Sequence, residues 1–128
     1  MPTRAHPHDG GLDLYSMEAK VVPHRGSAVF DTGVHVAIPE GYVGYVKSKS
    51  GLMMNHDLTT DGTVDSGYTG SIRVKLFNHS GEHCYKAMKG QKIAQLVIQP
   101  IITPELELVD SLEDTERGEG GFGSSGMF

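Results

Sequence analysis

The chain reads as an all-β domain of the sandwich, barrel or jelly-roll kind. Three observations predict this. Helical periodicity is nearly absent over the 128 residues. Short runs rich in β-branched and aromatic residues recur along the chain. Turn dipeptides built on Gly, Pro, Asn and Asp separate those runs. The length suits one domain, long enough to bury roughly two thirds of its unfolded surface without staples.

The expected strands, in order, are Val21-Val22, Val34 to Ile38, Tyr42 to Val46, Ile72 to Phe77 and Ile93 to Ile98. Val34-His35-Val36-Ala37-Ile38 and Ile72-Arg73-Val74-Lys75-Leu76 alternate with period two, as half-buried strands do. Turns are expected at Pro39-Glu40-Gly41, Asp61-Gly62, Ser80-Gly81 and Lys89-Gly90. One short helical turn is expected after Ser50, through Gly51 to His56. From Leu112 the chain turns acidic and then glycine-rich, and nothing there can pack a core.

Composition narrows the function. The net charge is −5, from 11 basic and 16 acidic side chains, which disfavours a nucleic-acid or anionic-membrane partner. A small phosphate ligand held by local donors remains open. No apolar stretch has the length of a signal peptide or membrane span, so a cytoplasmic protein is expected. The single cysteine, Cys84, allows no intramolecular disulfide and no Pro-Cys-x-x-Cys deaminase motif. His6-x-His8 and His79-x₃-His83 have metal-like spacing but no supporting ligands. Walker A and G-x-S-x-G motifs are absent.

Several segments carry chemistry. Gly118-Glu119-Gly120-Gly121-Phe122-Gly123 matches G-x-G-x-x-G, but no helix can follow in the five residues that remain. Two readings are left, a disordered tail or a phosphate-gripping arm. In the second, glycines bring N–H groups close, Ser124 and Ser125 add hydroxyls, Arg117 adds a charged fork, and Phe122 stacks on a base. Ser48-Lys49-Ser50-Gly51, entering a helix, is either an ordinary N-cap or an anion site. Asp61 to Gly70 is either a decorated turn or a carboxylate base, Asp65, beside an aromatic platform, Tyr68.

In order, five segments resemble the motifs of the trimeric dUTPases (deoxyuridine triphosphate nucleotidohydrolases). They are Asp9-Gly-Gly-Leu-Asp13-Leu14, Lys49-Ser50-Gly51-Leu52, Gly62-Thr-Val-Asp65-Ser-Gly-Tyr68-Thr-Gly70, Gly90-Gln-Lys-Ile-Ala-Gln95-Leu96 and Arg117-Gly-Glu-Gly-Gly-Phe122-Gly-Ser-Ser-Gly126. The resemblance implies a distorted jelly roll of the dUTPase-like (β-clip) type with one short helix. Residues 1–111 would form one domain, and 112–128 a flexible arm closing over an active site. It implies a homotrimer with active sites shared among three chains. The implied reaction is magnesium-assisted hydrolysis of dUTP to dUMP and pyrophosphate, limiting uracil in DNA and supplying dUMP for dTMP synthesis.

The same resemblance implies residue roles. Asp65 would activate the water that attacks the α-phosphate. Tyr68 would pack under the sugar. Thr59, Gly62, Thr63, Val64 and Arg73 would form the uracil pocket. Lys49, Ser50, Gly51 and Gln95 would bind phosphates. Asp13 would order the water shell of Mg²⁺, itself held mainly by the triphosphate. Phe122 would stack on uracil, and Arg117, Gly123, Ser124 and Ser125 would clamp the γ-phosphate as a lid.

The chain departs from the family pattern at Lys49, where Arg is usual, and at Gly67, where Asp is frequent. Gln91-Lys92 replaces Asp-Arg, and Thr59 stands where some members use Asn. A related fold-mate, dCTP deaminase, needs a catalytic Glu where this chain has Lys75. The other alternative is a regulatory interaction protein controlled by dUTP.

Overall fold

The computed structural model describes residues 1–128. Nine strands and one helix follow one another along the chain. They are β1 (Gly11–Tyr15), β2 (Lys20–Val22), β3 (Ser27–Asp31), β4 (Tyr42–Lys47), α1 (Ser50–His56), β5 (Leu58–Thr59), β6 (Asp61–Val64), β7 (Arg73–Asn78), β8 (Tyr85–Ala87) and β9 (Lys92–Pro100). All neighbouring strands pair antiparallel, in three sheets ordered β1-β9-β4-β6, β2-β8 and β3-β7-β5. The expected all-β class with one short helix is what forms.

One core joins the three sheets. Leu14, Val46 and Leu96 come from the first sheet, Val22 and Ala87 from the second, and Phe30, Val74 and Leu76 from the third. Strand β7 shows why these residues choose a sheet. Its burial alternates strictly, with Val74, Leu76 and Asn78 inward and Arg73, Lys75 and Phe77 outward. Asn78 can be buried because its amide is spent. It donates to the carbonyls of Val22 (3.1 Å) and His83 (2.9 Å) and accepts from Ser80 N–H (3.0 Å).

Two sequence expectations are corrected. Val34 to Ile38 forms no strand. Val34 and Val36 pack against the core and Ile38 is buried, so the alternation is real. A period-two pattern reports which face is buried, but not that a backbone partner exists. Only the ends of the Thr32–Val34 stretch are tied to Ile72: Ile72 N–H donates to Val34 O (2.8 Å), and Thr32 N–H and hydroxyl donate to Ile72 O. The second correction is Asp61-Gly62, which does not turn. Both residues lie within β6, paired with Lys47 and Val46. The register to β4 overrides the turn chemistry of the dipeptide. The expected turns at Gly41 and Gly90 do form, with φ of +83° and +79°.

Gly44 shows how closely the layers approach. A Cβ there would lie 2.8 Å from Ile38 Cδ1, 3.1 Å from Leu96 Cδ1 and 3.3 Å from Val64 Cβ. Beyond Pro100 there is no strand or helix, and Ile102, Leu106, Leu108 and Leu112 are fully or largely exposed. Gly44→Val overpacks the β4–β6–β9 junction and should cost about 1–3 kcal/mol, read as a lowered urea midpoint. An unchanged midpoint would show that the junction has slack.

Candidate active site

The motif residues gather in three places. The first is the segment from β6 to β7. After Val64 the chain turns through Asp65-Ser66-Gly67-Tyr68, with Tyr68 N–H donating to Asp65 O (3.2 Å) and Gly67 at φ +85°. The positive φ explains why glycine serves where other residues would be strained. Asp65 is exposed.

Tyr68 is positioned by its neighbours. Its hydroxyl donates to Ser71 O (2.9 Å), and its ring lies against Gly70, where a Cβ would sit 2.5 Å from the tyrosine oxygen. The loop is tied down from below. Ser71 donates from its hydroxyl to Asp31, which also accepts Gly33 N–H (2.9 Å). Those two hydrogen bonds, Ser71's first, hold the exposed Asp31 carboxyl below its usual 3.8. His35 Nδ1 lies 2.8 Å from Thr69 O, so that nitrogen is the one that donates. Between β6 and β7 opens a cleft of about 210 Å³, lined among others by Gly62, Thr63, Val64, Tyr68, Ile72 and Arg73. Four of the five expected pocket residues thus share one cleft. Thr59 lies outside its lining, its hydroxyl 2.7 Å from His79 Nε2.

The second place is the far end of β4. One polar row crosses the whole first sheet, with Asp13 paired to Gln95, Gln95 to Lys47, and Lys47 to Asp61. Asp13 is 3% exposed, and both of its oxygens are taken. Lys49 Nζ is 2.5 Å from Oδ1, and Lys92 Nζ is 3.1 Å from Oδ2. Burial pushes the Asp13 carboxyl up, but the hydrogen bonds and charges of Lys49 and Lys92 outweigh it and hold it below 3.8. In turn the hydrogen bond and charge of Asp13 raise Lys92 above 10.5. Gln95 donates its Nε2–H to Ser48 O (2.9 Å), and Ser48 Oγ in turn staples Thr60 through N–H and carbonyl.

Helix α1 starts here. Lys49 is its N-cap residue without a side-chain cap, and Ser50 and Gly51 open it, both exposed. The first N–H in this turn with a partner is that of Met53, on Lys49 O (3.0 Å). The N–H groups of Ser50 and Gly51 therefore have no partner within the turn, as at any uncapped helix start.

The third place is the tail. Arg117 Nε donates to Gly120 O (2.6 Å), and turns at Gly121–Ser124 and Gly123–Gly126 follow. Gly118, Gly123, Gly126 and Phe122 all adopt positive φ, and the Phe122 ring is fully exposed.

These places are not adjacent. The β4–β6 ladder runs from Val64 paired with Gly44 at one end to Asp61 paired with Lys47 at the other. Asp65 lies just beyond the first end and Ser50 beyond the second. At about 3.3 Å per residue, the ladder puts roughly 10 Å between its two ends.

Three residues inside the quoted motifs have supporting roles that sequence reasoning did not assign. Gly11 makes room for Gln95, since a Cβ there would meet the glutamine Oε1 at 2.0 Å. Gly70 seats Tyr68. Lys92 completes the Asp13 pair, so the Gln91-Lys92 departure still leaves an ion pair. Gln91 instead bonds Tyr85 and accepts Met88 N–H (3.0 Å). No group of three or more His, Cys, Asp or Glu side chains converges to hold a metal ion.

Comparison with known proteins adds to this geometry. A family model described as dUTPase matches residues 1–126. The deoxyuridine 5'-triphosphate nucleotidohydrolase of Alkaliphilus metalliredigens is 42% identical over 130 residues, covering 99% of this chain and 90% of that protein. The corresponding protein of Gloeothece citriformis is 44% identical, covering 99% and 89%. Among solved structures, the dUTPase of Staphylococcus bacteriophage 80alpha with dUpNHpp superposes with a TM-score of 0.92 at 39% identity, covering 99% of this chain and 92% of that one.

Two outcomes follow from the geometry. Gly70→Ala should displace the Tyr68 ring, visible by crystallography or aromatic NMR; an unmoved ring would mean Gly70 does not seat it. The Asp13 ion pairs contribute stability at pH values above the usual carboxylate value of 3.8, and lose it as pH falls through the lower folded value. An acid titration should therefore show a stability loss that Asp13→Asn lacks. Parallel acid limbs in parent and variant would contradict the pairing.

Proposed function

This chain belongs to the dUTPase family, and on that premise we propose that it hydrolyses dUTP to dUMP and pyrophosphate. The observation that carries the reading is the β6–β7 cleft, with Asp65 placed in sequence between two of its lining residues, Val64 and Tyr68. The cleft takes the base, and Tyr68 faces the sugar. The Asp65 carboxylate takes a proton from water as the water oxygen bonds the α-phosphorus. The bond from that phosphorus to the bridging oxygen breaks, and pyrophosphate leaves. No covalent enzyme intermediate is needed, because positioning and charge neutralisation suffice.

Lys49, Ser50, Gly51 and Gln95 serve the phosphates. Magnesium would be held mainly by the triphosphate, with Asp13 ordering its water shell, and would supply charge neutralisation there. This fits a protein whose one buried carboxylate in the region, Asp13, already has a lysine on each oxygen. A phage phi11 dUTPase, 34% identical with a TM-score of 0.82, was solved with a structural Mg(II) ion. The arm, residues 112–128, closes over the site, with Phe122 on the base and Arg117, Gly123, Ser124 and Ser125 on the γ-phosphate.

The separation of Asp65 from Ser50 along β4 supports a homotrimer with shared sites. The base and pocket would come from one chain, the phosphate ligands from a second and the arm from a third. No helix is long and apolar enough to cross a membrane, in keeping with a cytoplasmic enzyme. Lys75, exposed on the outer face of β7, offers no carboxylate for deamination. The regulatory alternative draws on one observation. The similar 80alpha enzyme is described as controlling transfer of virulence genes by a G protein-like mechanism.

Pyrophosphate release should occur from dUTP and not from dCTP, dTTP or UTP. Asp65→Asn should abolish turnover while retaining nucleotide binding; parental turnover in that variant would remove the assigned base. Refolding Asp65→Asn and Ser50→Ala chains together should restore part of the activity that neither has alone. Mixed trimers then contain sites with both residues intact. No recovery would mean that both residues serve a site within one chain.

A further inference from the structure

The polar end of β4 contains a charge arrangement whose second lysine has no place in the reaction described above. Strict alternation along β9 would put Gln95, Ile93 and Gln91 on the outer face and Leu96, Ala94 and Lys92 on the core face. The strand does not keep that alternation. Its register to β1 slips between Leu14 and Tyr15, so that Leu14 faces Ala94 while Tyr15 faces Lys92. Ile93 is the extra residue of this bulge. Ile93 and Ala94 are both buried in the core, and Lys92 is turned out onto the face of Asp13. A bulge re-aims a side chain in this way at the cost of one ladder position.

We propose that the bulge makes Lys92 a positioning residue for phosphate binding. By keeping the buried Asp13 carboxylate neutralised, Lys92 lets Lys49 leave it for the triphosphate. The inference rests on the hydrolase reading above.

The physical argument concerns a carboxylate that is 5% exposed at its side chain. Such a group cannot be left without a cation, because a stranded buried charge costs far more than a surface one. If Lys49 were its only partner, every move of Lys49 toward phosphate would strand Asp13. With Lys92 on the other oxygen, Lys49 can turn away while Asp13 remains paired. The exposures suit the division of labour. Lys49 is 27% exposed and sits at the helix start beside Ser50, while Lys92 is 45% exposed and fixed on a strand. Lysine at position 49 suits the exchange, since a point charge on a flexible stem changes partners without giving up a bidentate fork.

The test is a set of steady-state measurements on the full-length protein with magnesium and dUTP. Lys92→Met should raise KM about tenfold, the scale of one hydrogen bond to a charged group, with kcat within about twofold. Lys92→Arg should restore the parental KM. On an Asp13→Asn background, adding Lys92→Met should change nothing, because no buried charge remains to be paired. A parental KM in Lys92→Met, or an equal KM rise in both backgrounds, would overturn the proposal. If Lys92→Met alone does not fold, Asp13→Asn/Lys92→Met should fold and match Asp13→Asn in KM; a further KM rise in the double variant, or its failure to fold, would overturn the proposal too. Failure of the parent to hydrolyse dUTP would instead count against the function reading, leaving the two failures separate.

Discussion

Strand β4 is hydrogen-bonded on both sides, to β9 and to β6, and its register governs where the functional groups stand. Pairing Gly44 with Val64 fixes the turn that carries Asp65 and Tyr68 at one end. Pairing Lys47 with Asp61 and Gln95 fixes the proposed phosphate-binding end at the other. A one-residue slip would send the core residues Val46 and Leu96 to the wrong face, so burial enforces the register. The same pairing that builds the core therefore keeps the assigned base and the assigned phosphate ligands apart within one chain.

The two ends are prepared by different physics. At the cleft the work is steric and local. Gly70 and Ser71 seat the Tyr68 ring, and Asp31 anchors the loop through Ser71 and Gly33. At the Asp13 end the work is electrostatic. A buried carboxylate with two lysines leaves a local positive excess in a protein of net charge −5. That local cluster, rather than the overall charge, is what the proposed triphosphate substrate would meet. The glycine-rich tail adds neither packing nor ion pairs to the body. Its turns occupy the N–H groups of Gly118, Gly120, Ser124 and Gly126.

Legibility in the sequence depended on what kind of information a residue carries. The site motifs could be read because each holds its chemistry in consecutive residues, as in Gly62-Thr-Val-Asp65 or Lys49-Ser50-Gly51. Long alternating strands such as β7 were readable for the same reason. Val34 to Ile38 misled because its alternation reflects burial without a partner. Asp61-Gly62 misled because long-range pairing outweighed a local turn preference. Thr59 was assigned toward the pocket by motif position, whereas in this chain its hydroxyl lies beside His79. The pairing of Lys92 with Asp13 was invisible because a bulge reverses its facing, and no periodicity shows where a bulge will fall.

The amino-acid order alone determined the all-β class, the single short helix, the five motifs and the family they point to. These follow from local propensity, burial pattern and contiguous functional groups. Tertiary structure decided what depends on contacts between distant residues. It set which strands pair, which oxygen of Asp13 each lysine takes, and that Gly11 must yield space to Gln95. It also decided that Asp65 and Ser50 lie beyond opposite ends of the β4–β6 ladder, because register is a property of two segments and neither segment carries it alone.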